Sequence, residues 1–202
     1  MSKQPDQITF SLPEWLAEYA GNYRTSIVLE EWMRFVIGAA RKNIEECTGG
    51  PFAAAVFERE TGKLVSLGVN LVVSRQSSVL HTEMVAIILA QQQLGTYDLG
   101  GTDMPAHELL SSAEPCAMCF GALPWSGVRY VVTGALSEDG RLIGFDEGAK
   151  PENWIQELES RGIEVRTSVE RDQAREVLLL YQQTGGHIVQ HEGELTLTFR
   201  LY

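Results

Sequence analysis

The chain has 202 residues, an apolar content of 44% and a net charge of −11. That length suits one domain with a full core, and no apolar run approaches the ~18 residues that a membrane span needs. The acidic balance, with no cluster of Lys or Arg, argues against nucleic acid as a polymeric substrate, because phosphates need cations to displace their counterions.

The opening stretch "MSKQPDQITF" lacks the apolar core of a signal peptide, so the expected address is the cytoplasm. "SLPEWLAEYAG" predicts a short helix: Ser11 and Glu14 have capping-box spacing, Pro13 suits the first turn and Gly21 a stop. A longer helical pattern runs from about 25 to 47, with Ile27, Leu29, Trp32, Phe35, Val36 and Ala39 largely on one side. "TGGP" breaks it. "FAAAVFE" and "LVSLGVNLVV" read as two strands of a hairpin joined by "RETGK". Residues 82–94 predict a helix that buries Val85, Ala86, Ile88 and Leu89 and stops near Gly95.

A short strand follows at 107–112, then a helix from about Cys116 to Ser126, then the buried strand "VRYVVTGA". "PENWIQELESRG" reads as a helix with Pro151 in its first turn and Gly162 past its end. "IEVR" is a short strand and "VERDQAREVLLLYQQ" a final helix. Strands alternating with helices predict a mixed sheet covered on both faces. After Gly185 and Gly186, "ELTLTFRLY" alternates, with Leu195, Leu197, Phe199 and Leu201 on one side. Such an apolar face needs a partner surface, in its own domain or on a second subunit. We expect residues 1–24 as a helical extension, 25–183 as the main domain and 184–202 as a strand-like tail.

Three cysteines in a chain read as intracellular argue against a disulfide framework. Cys116 and Cys119 form a Cys-x-x-Cys pair after Pro115, and His81-x-Glu83 precedes it by 35 residues. Singly, each half is weak: a His-x-Glu at a helix start is usually capping, and a lone Cys-x-x-Cys is as often structural or redox-active. In this order, with the proline and an intervening strand, they form the zinc deaminase signature. His81, Cys116 and Cys119 supply three ligands, leaving one position for water. Two thiolates cancel the charge of Zn²⁺, so a separate base is useful, and Glu83 lies close enough to act without being a ligand. We expect one zinc per chain. Cys47 falls outside the pattern and reads as a small buried residue. His187 and His191 read as solvated loop histidines, and His107 as strand or loop.

From about 30 to 165 the chain resembles the cytidine deaminase-like superfamily, and within it the bacterial guanine deaminases most. "GGPFAAAVFE" is similar to the family's "GGPFGAVIV", with Ala53 where the family usually has Gly. The resemblance implies a three-layer α/β/α fold on a mixed five-stranded sheet. It implies that Phe52 stacks on the base and that Ala54 and the neighbouring backbone line the site. Asn70 of "LGVNLVV" matches the base-reading asparagine, against the plain alternative of a turn-former. Trp125 of "CFGALPWSGVRYVV" falls at an aromatic position that could line the pocket, a core or interface role being as good a reading. "GFDEGA" resembles a loop carrying a second acid, filled by Glu147 or Asp146, with Glu147 favoured.

The implied reaction is hydrolysis of guanine to xanthine and ammonia, with Glu83 moving a proton to the ring and Glu147 to the leaving amine. Rival substrates are ammeline-like triazines, cytosine and tRNA adenosine. A second reading from another class is a non-catalytic, zinc-stabilised interaction module, which would have no use for Glu83. The resemblance also implies a homodimer acting on a free nucleobase, with neither nucleic acid nor membrane as partner.

Overall fold

The computed structural model describes residues 5–188. In it α1 (Glu14–Gly21), α2 (Leu29–Glu45), α3 (Val72–Arg75), α4 (Thr82–Leu94), α5 (Ala117–Ser126), α6 (Ser137–Leu142), α7 (Trp154–Glu159) and α8 (Arg171–Gln183) surround one sheet. Its strands are β1 (Ala53–Glu58), β2 (Leu64–Val69), β3 (His107–Ala113), β4 (Tyr130–Ala135) and β5 (Glu164–Arg166). They lie in the order β2-β1-β3-β4-β5. β1 pairs antiparallel with both β2 and β3, while β3–β4 and β4–β5 are parallel. The fold is the expected mixed five-stranded α/β architecture.

Two apolar clusters explain why the strands read as nearly continuous hydrophobic runs: a sheet covered on both faces needs apolar side chains at every position. On one face Ala53, Ala55, Phe57, Leu110 and Val132 pack with residues of α2 and α8. On the other, Ala54, Val56, Leu109 and Val131 pack with residues of α4, α5 and α7. β1 therefore alternates between two cores.

Several local expectations change. Pro13 takes the N-cap of α1 with extended ψ, which leaves Ser11 two positions too early for a capping box. The Ser11 carbonyl instead accepts from Arg75 Nε at 2.7 Å. α2 begins at Leu29, and Ile27 is 75% exposed. Cys47 is exposed, not buried. It lies one residue past the C-cap of α2 with φ +54°, a left-handed turn that carries its side chain outward. On α4, Ile87 is buried with Val85 and Ala86, while Leu89 only packs at the edge of the core. The strand "LVSLGVNLVV" stops at Val69, and Val72–Arg75 form the short α3 instead.

Gly68 of β2 sets where α4 begins. A Cβ there would fall 2.5 Å from Ala86 N and 2.7 Å from Thr82 O. Only glycine lets the helix start lie this close to the strand. Thr82 Oγ1 and Ser66 Oγ then fasten α4 to β2 through the Gly68 and Ala86 carbonyls, at 2.9 and 2.7 Å. Among the described residues no helix is long and apolar enough to cross a membrane. The expected tail strand, with Leu195, Leu197, Phe199 and Leu201, and His191 lie outside the described residues.

Candidate active site

His81 is the N-cap of α4, and Cys116 is the N-cap of α5. The two helix starts meet at the end of the sheet where β3 finishes, the side on which open α/β folds hold their ligands. His81, Cys116 and Cys119 offer one nitrogen and two sulfurs, all within 4.8 Å of one another. Cys116 Sγ lies 3.4 Å from His81 Nδ1. This donor set suits tetrahedral zinc, which prefers imidazole and thiolate.

The electrostatics prepare that set. A hydrogen bond from Cys119, and another with His81, pull the Cys116 thiol down to about 4, against the cost of burial. The same hydrogen bond, with burial, pushes the Cys119 thiol up. Burial works against a charged His81, but its hydrogen bond to Cys116 and that residue's charge outweigh it and raise its pKa. Both thiols must be deprotonated to ligate.

His81 and Cys116 border a cavity of about 400 Å³, also lined by Phe52, Asn70, Glu83, Phe145, Glu147 and Tyr181. That volume is within the range of small-molecule sites. Glu83, in the first turn of α4, is 5% exposed. Ser111 Oγ of β3 donates to its Oε1 at 3.2 Å. Burial, then the charge of Cys116, raises the Glu83 carboxyl above its ordinary range. Glu147 is 8% exposed and is pushed up to about 7 by burial, with Lys150 opposing and Cys116 and Glu83 reinforcing. Asp146 is exposed and its carboxylate accepts from Gly148 N–H at 2.8 Å, closing its own turn. Burial thus sets Glu147 apart from Asp146 as the acid turned into the protein.

Phe52 and Phe145 meet edge-on at 4.9 Å, and Phe145 stacks on Tyr181 at 6.1 Å. They make an aromatic wall along the cavity. Asn70 follows β2, and its Oδ1 accepts from Val72 N–H at 3.3 Å. The side chain therefore makes a turn contact and borders the cavity at once. Two expected residues are not brought to the site. Ala54 is fully buried in the cluster that holds Ala86 and Ile87, since its side chain points to the α4 face of β1. Trp125 is 85% exposed. It follows Cys116 by nine positions, roughly half a turn around the helix from it, so the two face opposite ways.

Sequence reasoning misses Phe145, Tyr181 and Ser111 as site residues. Phe145 is the aromatic residue of the "GFDEGA" loop itself and is within its reach. Tyr181 and Ser111 sit in helix and strand patterns with no distinguishing local signal.

Residues 27–135 match the family described as "Cytidine and deoxycytidylate deaminase zinc-binding region". The chain belongs to this deaminase family. Among solved structures, the guanine deaminase from Nitrosomonas europaea is 46% identical, with a TM-score of 0.85 over 90% of this chain and all of that one. A related structure, 46% identical with a TM-score of 0.86 over 92% of this chain and 97% of that one, holds 2,6-diaminopurine. The Bacillus subtilis guanine deaminase is 30% identical over 118 residues, covering 58% of this chain and 71% of that protein. The tRNA-specific adenosine deaminase of the same organism is 35% identical over 115 residues, 57% of this chain and 66% of that protein. This member of the deaminase family thus carries its motif on the two helix starts, with two buried acids, Glu83 and Glu147, on the same cavity.

Proposed function

We propose that the protein is a zinc-dependent hydrolase that converts guanine and water to xanthine and ammonia. The carrying observation is a buried glutamate, Glu83, on the same helix start as one member of a His/Cys/Cys cluster. Near-full-length likeness to a guanine deaminase structure supports the substrate. We assign one zinc per chain, held by His81, Cys116 and Cys119. When bound, it supplies the Lewis acidity that readies water for attack.

The chain's own residues do the rest. Glu83 accepts the water proton and delivers it to the ring nitrogen beside the attacked carbon. Ser111 donates to one of its oxygens and helps to orient the carboxylate. Glu147, with a pKa raised to about 7, can both give and take a proton near neutrality, and it carries one to the departing amine. The Phe52–Phe145 wall lies against the base, and Asn70 offers an amide to its polar edge. We further infer a cytoplasmic homodimer serving purine breakdown, with residues 1–24 as an extension of the 25–183 domain. The exposed Trp125 and the alternating apolar tail support pairing.

The test is ammonia release from guanine, guanosine, adenine, cytosine, ammeline and tRNA, with metal content measured in parallel. Guanine should be preferred, with about one zinc per chain. Glu83→Gln should keep the zinc and lose about 10²–10⁴-fold in turnover. Preference for tRNA adenosine would overturn the substrate, and near-normal turnover by Glu83→Gln would overturn the mechanism.

A further inference from the structure

We propose that Asn43 is a positioning residue for the base site, and that Trp15 of α1 acts on that site through Thr48 and Asn43. The inference rests on reading the cavity as a nucleobase site. Asn43, near the end of α2, is fully buried. Its Nδ2 donates to two carbonyls, Gly50 O at 2.9 Å and Asn70 O at 3.0 Å. Its Oδ1 accepts from Thr48 Oγ1 at 2.7 Å, and that hydroxyl accepts from Trp15 Nε1 at 3.0 Å.

Donor chemistry sets the direction of this relay. An indole N–H can only donate, so Thr48 must accept from Trp15 and spend its single proton on Asn43. Asn43 is thereby held with its oxygen towards Thr48 and its NH₂ towards the two carbonyls. The flipped amide would set an oxygen against both carbonyls and an NH₂ against the hydroxyl proton. The Asn43 carbonyl also receives the Thr48 and Gly49 N–H groups at 3.0 and 3.3 Å.

What the amide holds is the base-facing backbone. Phe52 N–H donates to Gly50 O at 2.9 Å, and Asn70 N–H donates to Phe52 O at 3.1 Å. Phe52 and Asn70, both on the cavity wall, thus hang from carbonyls and amides tied to one buried side chain. The packing leaves no slack: a Cβ on Gly49 would lie 1.9 Å from Asn70 O. Glu83 is held independently, by α4 and Ser111. Loosening the relay should therefore weaken base binding and leave the proton transfers alone. Trp15 lies outside the segment that matches the deaminase family, so this chain's first helix adds a support that the family motif does not contain.

The experiment measures steady-state kinetics, zinc content and 8-azaguanine affinity for the wild type, Thr48→Val, Thr48→Ser and Trp15→Phe. Thr48→Val keeps shape and deletes the relay; it should raise KM for guanine about tenfold, the usual scale for an unpaired buried polar group, with kcat within about twofold and zinc unchanged. Thr48→Ser should restore the wild-type KM. Trp15→Phe should shift KM the same way by about threefold. An unchanged KM in Thr48→Val, or a kcat loss equal to the KM change that serine does not rescue, overturns the relay. If the wild type deaminates another base of the panel, the guanine reading fails and the same comparison is made with that base. A wild type that neither deaminates a base nor binds 8-azaguanine overturns the nucleobase site, and the relay with it.

Discussion

Glu83 and Glu147 border the same cavity but are held in different ways. Burial raises both carboxyls, but Glu83 has a hydroxyl donor in Ser111, and at Glu147 burial lifts the pKa from 4.5 to about 7. Between those values the folded protein binds more protons at this site than the unfolded chain does. Its contribution to stability therefore falls as pH rises from 4.5 to 7 and is flat above, a loss of about 3 kcal/mol at 1.4 kcal/mol per unit. Glu147→Gln removes that loss. In chelator, the variant should resist urea better than wild type at pH 8, and the gap should close by pH 4.5. With zinc present, the same variant should turn over guanine more slowly. Parallel pH profiles of stability for the two proteins would contradict the assigned burial cost.

The elements carry these residues only because they meet at close range. α4 approaches β2 across Gly68, where a methyl has no room. Gly68→Ala should cost about 1–3 kcal/mol by overpacking. It should also displace the helix start that bears His81 and Glu83, so activity and zinc retention fall together; a variant that is destabilised but fully active would separate the two roles. α6 is secured differently. Asp139 accepts from Leu136 N–H at 2.9 Å and from Arg171 Nε at 2.8 Å. The Arg171 hydrogen bond, chiefly, holds its carboxyl below the ordinary range. That contribution is present above the ordinary aspartate value and lost as pH falls through the lower folded value. Asp139→Ala should cost about 2 kcal/mol at pH 7, and the gap to wild type should narrow as pH falls below the ordinary aspartate range, as thermal melts across pH would show.

At the scale of the molecule, the sheet end gathers both helix starts, the acid loop and α8 around one cavity. His187 borders that cavity, and the alternating apolar residues Leu195, Leu197, Phe199 and Leu201 follow it in sequence. Sedimentation equilibrium at micromolar concentration should give twice the chain mass of 22.4 kDa. A chain cut after Gly186 should lose activity, and full activity in it would remove the tail from the site. The net charge of −11 should also keep tRNA from competing with guanine at physiological salt.

The candidate metal cluster and the glutamate proposed as its base are legible in the amino-acid order alone, because His81-x-Glu83 and Pro115-Cys116-x-x-Cys119 carry their chemistry in short spacings. The strands and long helices are legible for a similar reason, since periods of 2 and 3.6 are local properties of a chain. The aromatic wall is legible only in part. Phe52, Phe145 and Tyr181 come from three distant segments; the resemblance points to Phe52, but Phe145 and Tyr181 are ordinary aromatic residues in their own segments. Trp125 is their equal as a sequence feature, yet the turn of α5 sends it to solvent. Cys47 has the composition of a buried residue, yet a left-handed turn exposes it. The hydrogen bonds from Ser111 to Glu83 and from Trp15 through Thr48 to Asn43 are likewise silent in the sequence. Which donor meets which acceptor depends on how the helices dock against the sheet. By itself the sequence determined the candidate reacting groups; their partners, their burial and the walls around them were decided by packing between segments far apart in the chain.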